Sequence, residues 1–153
     1  MGHIRDTFHI DAAPDQVWAL GTDPSRYPEW QAGLLEVRDI SGPLDRVGSK
    51  YTAVYKVMGR RLEATSEVTK VEPGKLIEER GSIVGGGPAV STLRIEPVSG
   101  GTDMTVELDY ELPGGLIGDI ADKLFMERAI DRQIRHSNEN LKALAEAKVG
   151  VTA

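Results

Sequence analysis

The sequence predicts an α+β domain of two layers, an antiparallel sheet covered by one long helix at the C-terminal end. Three observations lead there. From residue 34 to 111 the chain alternates apolar and polar residues in short runs broken by Gly, Pro, Ser and Asp, the pattern of half-buried strands joined by hairpin turns. From Gly115 to Lys148 it changes to Leu, Ile, Ala, Lys, Arg and Glu, with no proline and with glycine only at Gly115, Gly118 and past the end at Gly150. That is a helix of roughly thirty residues and about 50 Å. Each predicted strand has one apolar face, and this helix is the only element able to cover them all. A single domain over residues 1–153 is expected.

The elements follow in order. Residues 3–10 alternate, with Ile4, Phe8 and Ile10 on one face, and predict the first strand. Pro14 in a first helical position, Asp15 in the first turn and Val17-Trp18 behind them start a short helix. Gly21 and Asp23-Pro24 stop it; Asp23 restarts one turn, which Pro28 limits, and Trp30 follows in a loop beside Gly33. Leu35 and Val37 then alternate with charged neighbours up to Ile40. Inward sets follow at Tyr51, Ala53, Tyr55 and Val57, then at Leu62, Ala64, Ser66 and Val68. The last two strands offer Ala89, Ser91, Leu93 and Ile95, then Met104, Val106, Leu108 and Tyr110. Between them, strand 76–83 is weaker. Ile77, Glu79, Gly81 and Ile83 form its more apolar face, so Glu78 and Arg80 are expected to face water; a slip of one residue would exchange the faces. Seven strands in all are expected, six of them in a meander.

The long helix carries two apolar stripes. Ile117, Ile120, Ala121 and Leu124 make the first; Ile130, Ile134, Leu141, Leu144 and Ala145 make the second, rotated well round from it. Their join near Phe125–Arg128 predicts a bend or a curvature that wraps the helix over a twisted sheet. A strongly curved sheet gripping a helix need not fill the space between them, and a ligand cavity there is expected.

Composition excludes several functions. A net charge of −6 argues against nucleic acid. The absence of cysteine removes disulfides, thiol nucleophiles and cysteine metal sites. No apolar run approaches the length of a membrane span and no signal-peptide pattern opens the chain. Met1-Gly2 suits myristoylation, but Asp6 stands where that motif wants Ser or Thr. A cytoplasmic protein without a membrane segment is expected. Gly85-Gly86-Gly87 and Gly48-Ser49-Lys50 lack the phosphate-loop spacing and read as turns, the former also as a cavity rim. His3 and His9 share a strand face, but no third ligand stands near them and His136 is expected in solvent; neither metal nor cofactor is expected.

The whole run resembles the START-like (SRPBCC) superfamily, and within it the polyketide cyclase/dehydrase and lipid-transport branch. The resemblance rests on "HIDAAPDQVWAL", "DPSRYPEW", "VGSKYTA", "VTKVEPGKLIEERGS", "SGGTDMTVELDYELPGG" and "LKALAEA", in order over residues 3 to 148. It implies the helix-grip fold, a curved antiparallel sheet around the C-terminal helix with an apolar cavity between. These are turn, cap and packing residues, and the same fold serves many ligands and a few reactions.

Candidate ligand-binding residues are Trp30, Tyr51, Tyr55, Ser66, Ser91, Leu124 and Glu127. The two tyrosines lie on an inward strand face, where core packing and cavity lining merge. Ser66 and Ser91 stand in register with apolar neighbours, as small packing residues or as hydrogen-bond donors. Glu127 lies between the two helix stripes, as a solvated rim residue or as an acid or base facing the cavity. The loops around Trp30 and residues 84–88 would form the mouth. No recognisable catalytic constellation is present. The expected function is binding of a small hydrophobic molecule, lipid-like or polyketide-like. Alternatives are a cyclase/aromatase-type enzyme in the same cavity, and an accessory protein of a quinone- or ribosome-associated system.

Overall fold

Hairpin follows hairpin through most of the chain. The computed structural model describes residues 2–84, 86–114 and 120–152. It runs β1 (Gly2–Ile10), α1 (Pro14–Gly21), a 3-10 helix (Pro24–Glu29), β2 (Leu34–Arg38), β3 (Lys50–Val57) and β4 (Arg60–Glu72). Then come β5 (Leu76–Ile83), β6 (Pro88–Val98), β7 (Gly101–Tyr110) and α2 (Ile120–Thr152). Strands β2 to β7 each pair antiparallel with the next, and β1 joins β7, giving the order β1-β7-β6-β5-β4-β3-β2. The curled sheet with its long terminal helix is the helix-grip fold. Gly59 and Gly74 turn the β3–β4 and β4–β5 hairpins with φ of 76° at each, a conformation glycine adopts at no steric cost. Among the described residues, no helix is long and apolar enough to cross a membrane.

The inward alternation read from the sequence is the one the sheet adopts. Tyr51 lies opposite Ser66 and Ala53 opposite Ala64; Glu79 opposes Ser91 and Gly81 opposes Ala89; Ser91 opposes Leu108. The core on this face is split in two. One cluster gathers Ile10, Val17, Leu20, Val68, Ile77, Met104 and Leu141 under α1 and the end of α2. The other gathers Ile4, Val57, Leu62, Ile83, Tyr110, Met126 and Ile130 at the other end. Between them the facing residues are small: Ala53, Ala64, Gly81, Ala89 and Ser91. Large side chains close the two ends and small ones leave the middle open.

Two expectations are corrected. Leu35 does not face the core but stands 54% exposed. The register shifts between Leu34 and Glu36, and such a bulge turns the extra residue away from its neighbours, so Leu34 packs inward instead. The stripe through Leu124 is not the buried face of α2 either: Leu124 is 47% exposed, with Ala121 and Phe125 also outside. Met126, Ala129 and Ile130 are buried in its place. At 100° per residue, Leu124 lies roughly a third of a turn from the Met126–Ile130–Ile134 line. The helix runs on through Phe125–Arg128 as one element; its expected start at Gly115 and the stripe member Ile117 lie outside the described residues.

Polar clasps hold α2 to the sheet edge and to the loop before β2. Arg135 pairs with Asp6 at 2.9 Å, and Asn138 Nδ2 donates to Asp6 Oδ2 at 3.0 Å. Asn140 Nδ2 donates to the Trp30 carbonyl at 3.1 Å. Lys142 Nζ reaches the His9 carbonyl at 2.8 Å.

Candidate functional site

A cavity of about 260 Å³ lies between the inner face of the sheet and α2. Its wall is mostly apolar, from Ala53, Val57, Leu93 and Val106 on the sheet to Ile130 and Ile134 on the helix. Trp30, Tyr51, Tyr55, Ser66 and Ser91 all line it. Leu124 and Glu127 do not: Leu124 points to solvent, and Glu127 is half-buried beside Tyr110, whose hydroxyl senses its charge. Of the described residues between 84 and 88, none lines the cavity, while Trp30, Gln31 and Ala32 do.

Local structure explains the aromatic end. Asp23 caps the 3-10 helix by accepting from the Ser25 amide at 3.1 Å, and Pro28 inside that helix ends it, leaving Trp30 as its C-cap. Tyr27 is thereby buried and donates its hydroxyl to the Gly21 carbonyl at 3.1 Å. Its ring meets Trp30 edge to face at 5.2 Å and Tyr51 at 5.6 Å. The Trp30 Nε1 is buried and meets no hydrogen-bond acceptor among the described residues. Tyr55 donates its hydroxyl to Gln31 Oε1 at 2.6 Å.

The helix contributes polar groups as well. Gln133, Ser137 and Asn138 line the cavity beside Ile130 and Ile134. Ser137 Oγ accepts from the Ala32 amide at 2.8 Å and donates to the Gln133 carbonyl at 3.0 Å. Gln133 Nε2 donates to the Ala32 carbonyl at 2.9 Å. These bonds fix the loop after Trp30 to the helix. The sequence holds a trace of them: the stripe Ile130–Ile134–Leu141 skips a turn, and Ser137 and Asn138 fill that gap.

One carboxyl in the cavity wall belongs to a residue that the candidate set did not contain. Glu79 lies on the inner face of β5, 9% exposed, and lines the cavity. Ser66 Oγ donates to its Oε1 at 2.7 Å, and the Tyr51 hydroxyl bonds it too. Burial pushes this carboxyl above the usual carboxylate range, opposed by those two hydrogen bonds. Desolvation also raises the hydroxyls of Tyr27, Tyr51 and Tyr55, with the nearby Glu79 charge adding to it at each. The signal for Glu79 was present: a lone carboxylate on the face that also holds Ile77, Gly81 and Ile83. The expectation for strand 76–83 itself holds, with Arg80 exposed and ion-paired to Glu78 at 2.9 Å.

Elsewhere, His3 bonds Asp109 at 2.6 Å and His9 bonds Asp103 at 3.0 Å, both on the outer face. No group of three or more His, Cys, Asp or Glu is placed to hold a metal ion among the described residues.

Solved structures share this architecture. The Zhui aromatase/cyclase of Streptomyces sp. R1128 superposes with a TM-score of 0.80 at 18% identity, over 96% of this chain and 94% of that one. A START superfamily protein from Mycobacterium smegmatis gives 0.75 at 16% identity, over 96% and 99%. Major latex-like protein 151 of Panax ginseng gives 0.67 at 17%, over 94% and 97%. At such identities the likeness carries the fold. No curated protein matches the chain in sequence. The family model described as polyketide cyclase / dehydrase and lipid transport matches residues 1–146, nearly the entire length, and the chain belongs to that family.

Proposed function

We propose that the protein binds a small hydrophobic ligand between the sheet and α2, with Trp30, Tyr51, Tyr55, Ser66 and Ser91 in contact with it. The observation that carries this reading is the 260 Å³ cavity itself. Protein interiors pack closely and rarely leave voids larger than a water molecule, yet here paired small residues hold a space open between two well-packed clusters. Its size is near the lower end of small-molecule sites, which favours a compact guest over a long diacyl lipid.

The test fills the space. Ala64 lines the cavity and faces Ala53 across β3 and β4, so Ala64→Phe puts a ring where a guest would lie. The neutral, environment-sensitive naphthalene probe prodan is expected to bind the wild-type protein saturably at one site. The variant is expected to lose about tenfold or more in affinity. Equal binding by both proteins contradicts the reading.

A second reading, an enzyme of the cyclase/aromatase type, is favoured by one observation. Glu79, raised by burial and bonded to Ser66 and Tyr51, is suited to move a proton in a water-poor site. It takes the place of Glu127 in that role. Turnover of a reactive keto substrate that falls by at least about a hundredfold in Glu79→Gln, with binding kept, would support it.

A further inference from the structure

An apolar guest would leave one group in the cavity without a partner for its charge. The Glu79 carboxyl is held by two neutral donors, Ser66 and Tyr51, and no Lys, Arg or His stands among the described lining residues. Nearby cations are spent elsewhere: Arg80 pairs with Glu78 and Lys50 with Glu67, on side chains that face solvent. Taking a carboxylate out of water without a counter-charge is costly, and the usual remedies are a cation or protonation.

The surroundings of the carboxyl suit a cation. Tyr51 bonds it directly; the Tyr51 ring packs on Tyr27, and Tyr27 packs on Trp30. Tyr55 lines the same space. The hydroxyls of all three tyrosines sense the Glu79 charge, which places them within its field. Electron-rich ring faces attract ammonium groups, most strongly where water is excluded. An aromatic group around one buried carboxyl is therefore a receptor for positive charge, while Ile83, Leu108 and Ile130 supply apolar wall elsewhere in the cavity.

We infer that the ligand is a hydrophobic amine, bound with its nitrogen at Glu79 among the Tyr27, Trp30 and Tyr51 side chains and its apolar body along the small-residue floor of the sheet. This rests on the proposed use of the cavity and narrows it to one class of guest. An amine entering uncharged takes the proton from the Glu79 carboxyl and leaves an ammonium–carboxylate pair. One entering as ammonium meets the ionised form. In either case the ion pair forms where the Glu79 carboxylate has hydrogen-bond donors but no other counter-charge among the described lining residues. An anionic guest such as a fatty acid is disfavoured by the same carboxylate.

The test compares guests that differ only at the polar end. Calorimetric titration is run with 5-phenylpentylamine, 5-phenylpentan-1-ol and 5-phenylpentanoate, near neutral pH and moderate salt. The amine is expected to bind about tenfold or more tighter than the alcohol, and the carboxylate weakest. In Glu79→Gln the ratio of amine to alcohol affinity is expected to fall to about one. An alcohol that binds as tightly as the amine in the wild-type protein overturns the inference while leaving the cavity reading intact. A preference for the amine that persists in Glu79→Gln does the same. The wild-type comparison needs no variant and stands if Glu79→Gln does not fold. Binding of none of the three contradicts the cavity reading, and the inference with it.

Discussion

Burial sets the Glu79 carboxyl apart from the exposed carboxylates of the sheet. Its raised pKa means that the folded protein holds this proton more tightly than the unfolded chain does. Stability from this group is therefore fully present below the ordinary value of 4.5 and is lost as pH rises through the higher native value. Glutamine keeps an acceptor for Ser66 Oγ and the Tyr51 hydroxyl but carries no charge. The expected outcome is that Glu79→Gln melts at or above the wild-type temperature at pH 8, with the difference shrinking toward pH 4. Thermal scans across that range check it, and a variant that is less stable at pH 8 than at pH 4 relative to wild type contradicts it. The side on which Glu79 lies was legible from Ile77, Gly81 and Ile83. Its place in a cavity wall was not, because alternation reports which face a residue takes and says nothing of whether the space in front is filled. Glu127 illustrates the converse: one misjudged helix stripe, through Leu124, put it near a cavity that it does not line.

At the scale of elements, β4 and β5 approach each other unusually closely at one point. A Cβ added at Gly81 would run into the Thr65 carbonyl across the ladder, so no side chain fits without moving a strand. Gly81→Ala is expected to cost about 2 kcal/mol or more, measured by chemical denaturation. For α2, packing outweighs the polar clasps. Leu141 is fully buried in the larger core cluster, and Leu141→Ala is expected to cost about 2–5 kcal/mol. Arg135 is 46% exposed beside Asp6, and such a pair contributes at most about 1 kcal/mol. A larger loss for Arg135→Ala than for Leu141→Ala, in the same denaturation series, would reverse that ranking. The hairpin strands were legible because Tyr51–Val57, Leu62–Val68 and Met104–Tyr110 alternate without interruption. β2 was misread because its bulge at Leu34–Glu36 breaks the period of two within five residues. The α2 stripe through Leu124 was misread because apolar residues on a helix are not bound to face the core; only packing against the sheet decides, and it selected Met126 and Ile130.

Over the whole molecule, a curved sheet, one long helix and a floor of small side chains combine into a container. The inner faces of six strands could be read from the sequence. The split of the core into two clusters could not, because it depends on which small residues meet across strands: Ala53 with Ala64, and Gly81 with Ala89. The 3-10 helix supplies the remaining wall, bringing Tyr27 against Tyr51 from more than twenty residues away in sequence, with Trp30 packed on Tyr27. The most direct test is a nuclear magnetic resonance titration of the full chain with an apolar ligand such as prodan. The account predicts saturable shifts at Ala53, Ala64, Ala89 and Ser91 on the inner face, with Thr92, Arg94, Thr105 and Glu107 on the opposite face unmoved. Shifts confined to the outer face, or to the exposed Leu124 and Phe125, would contradict it.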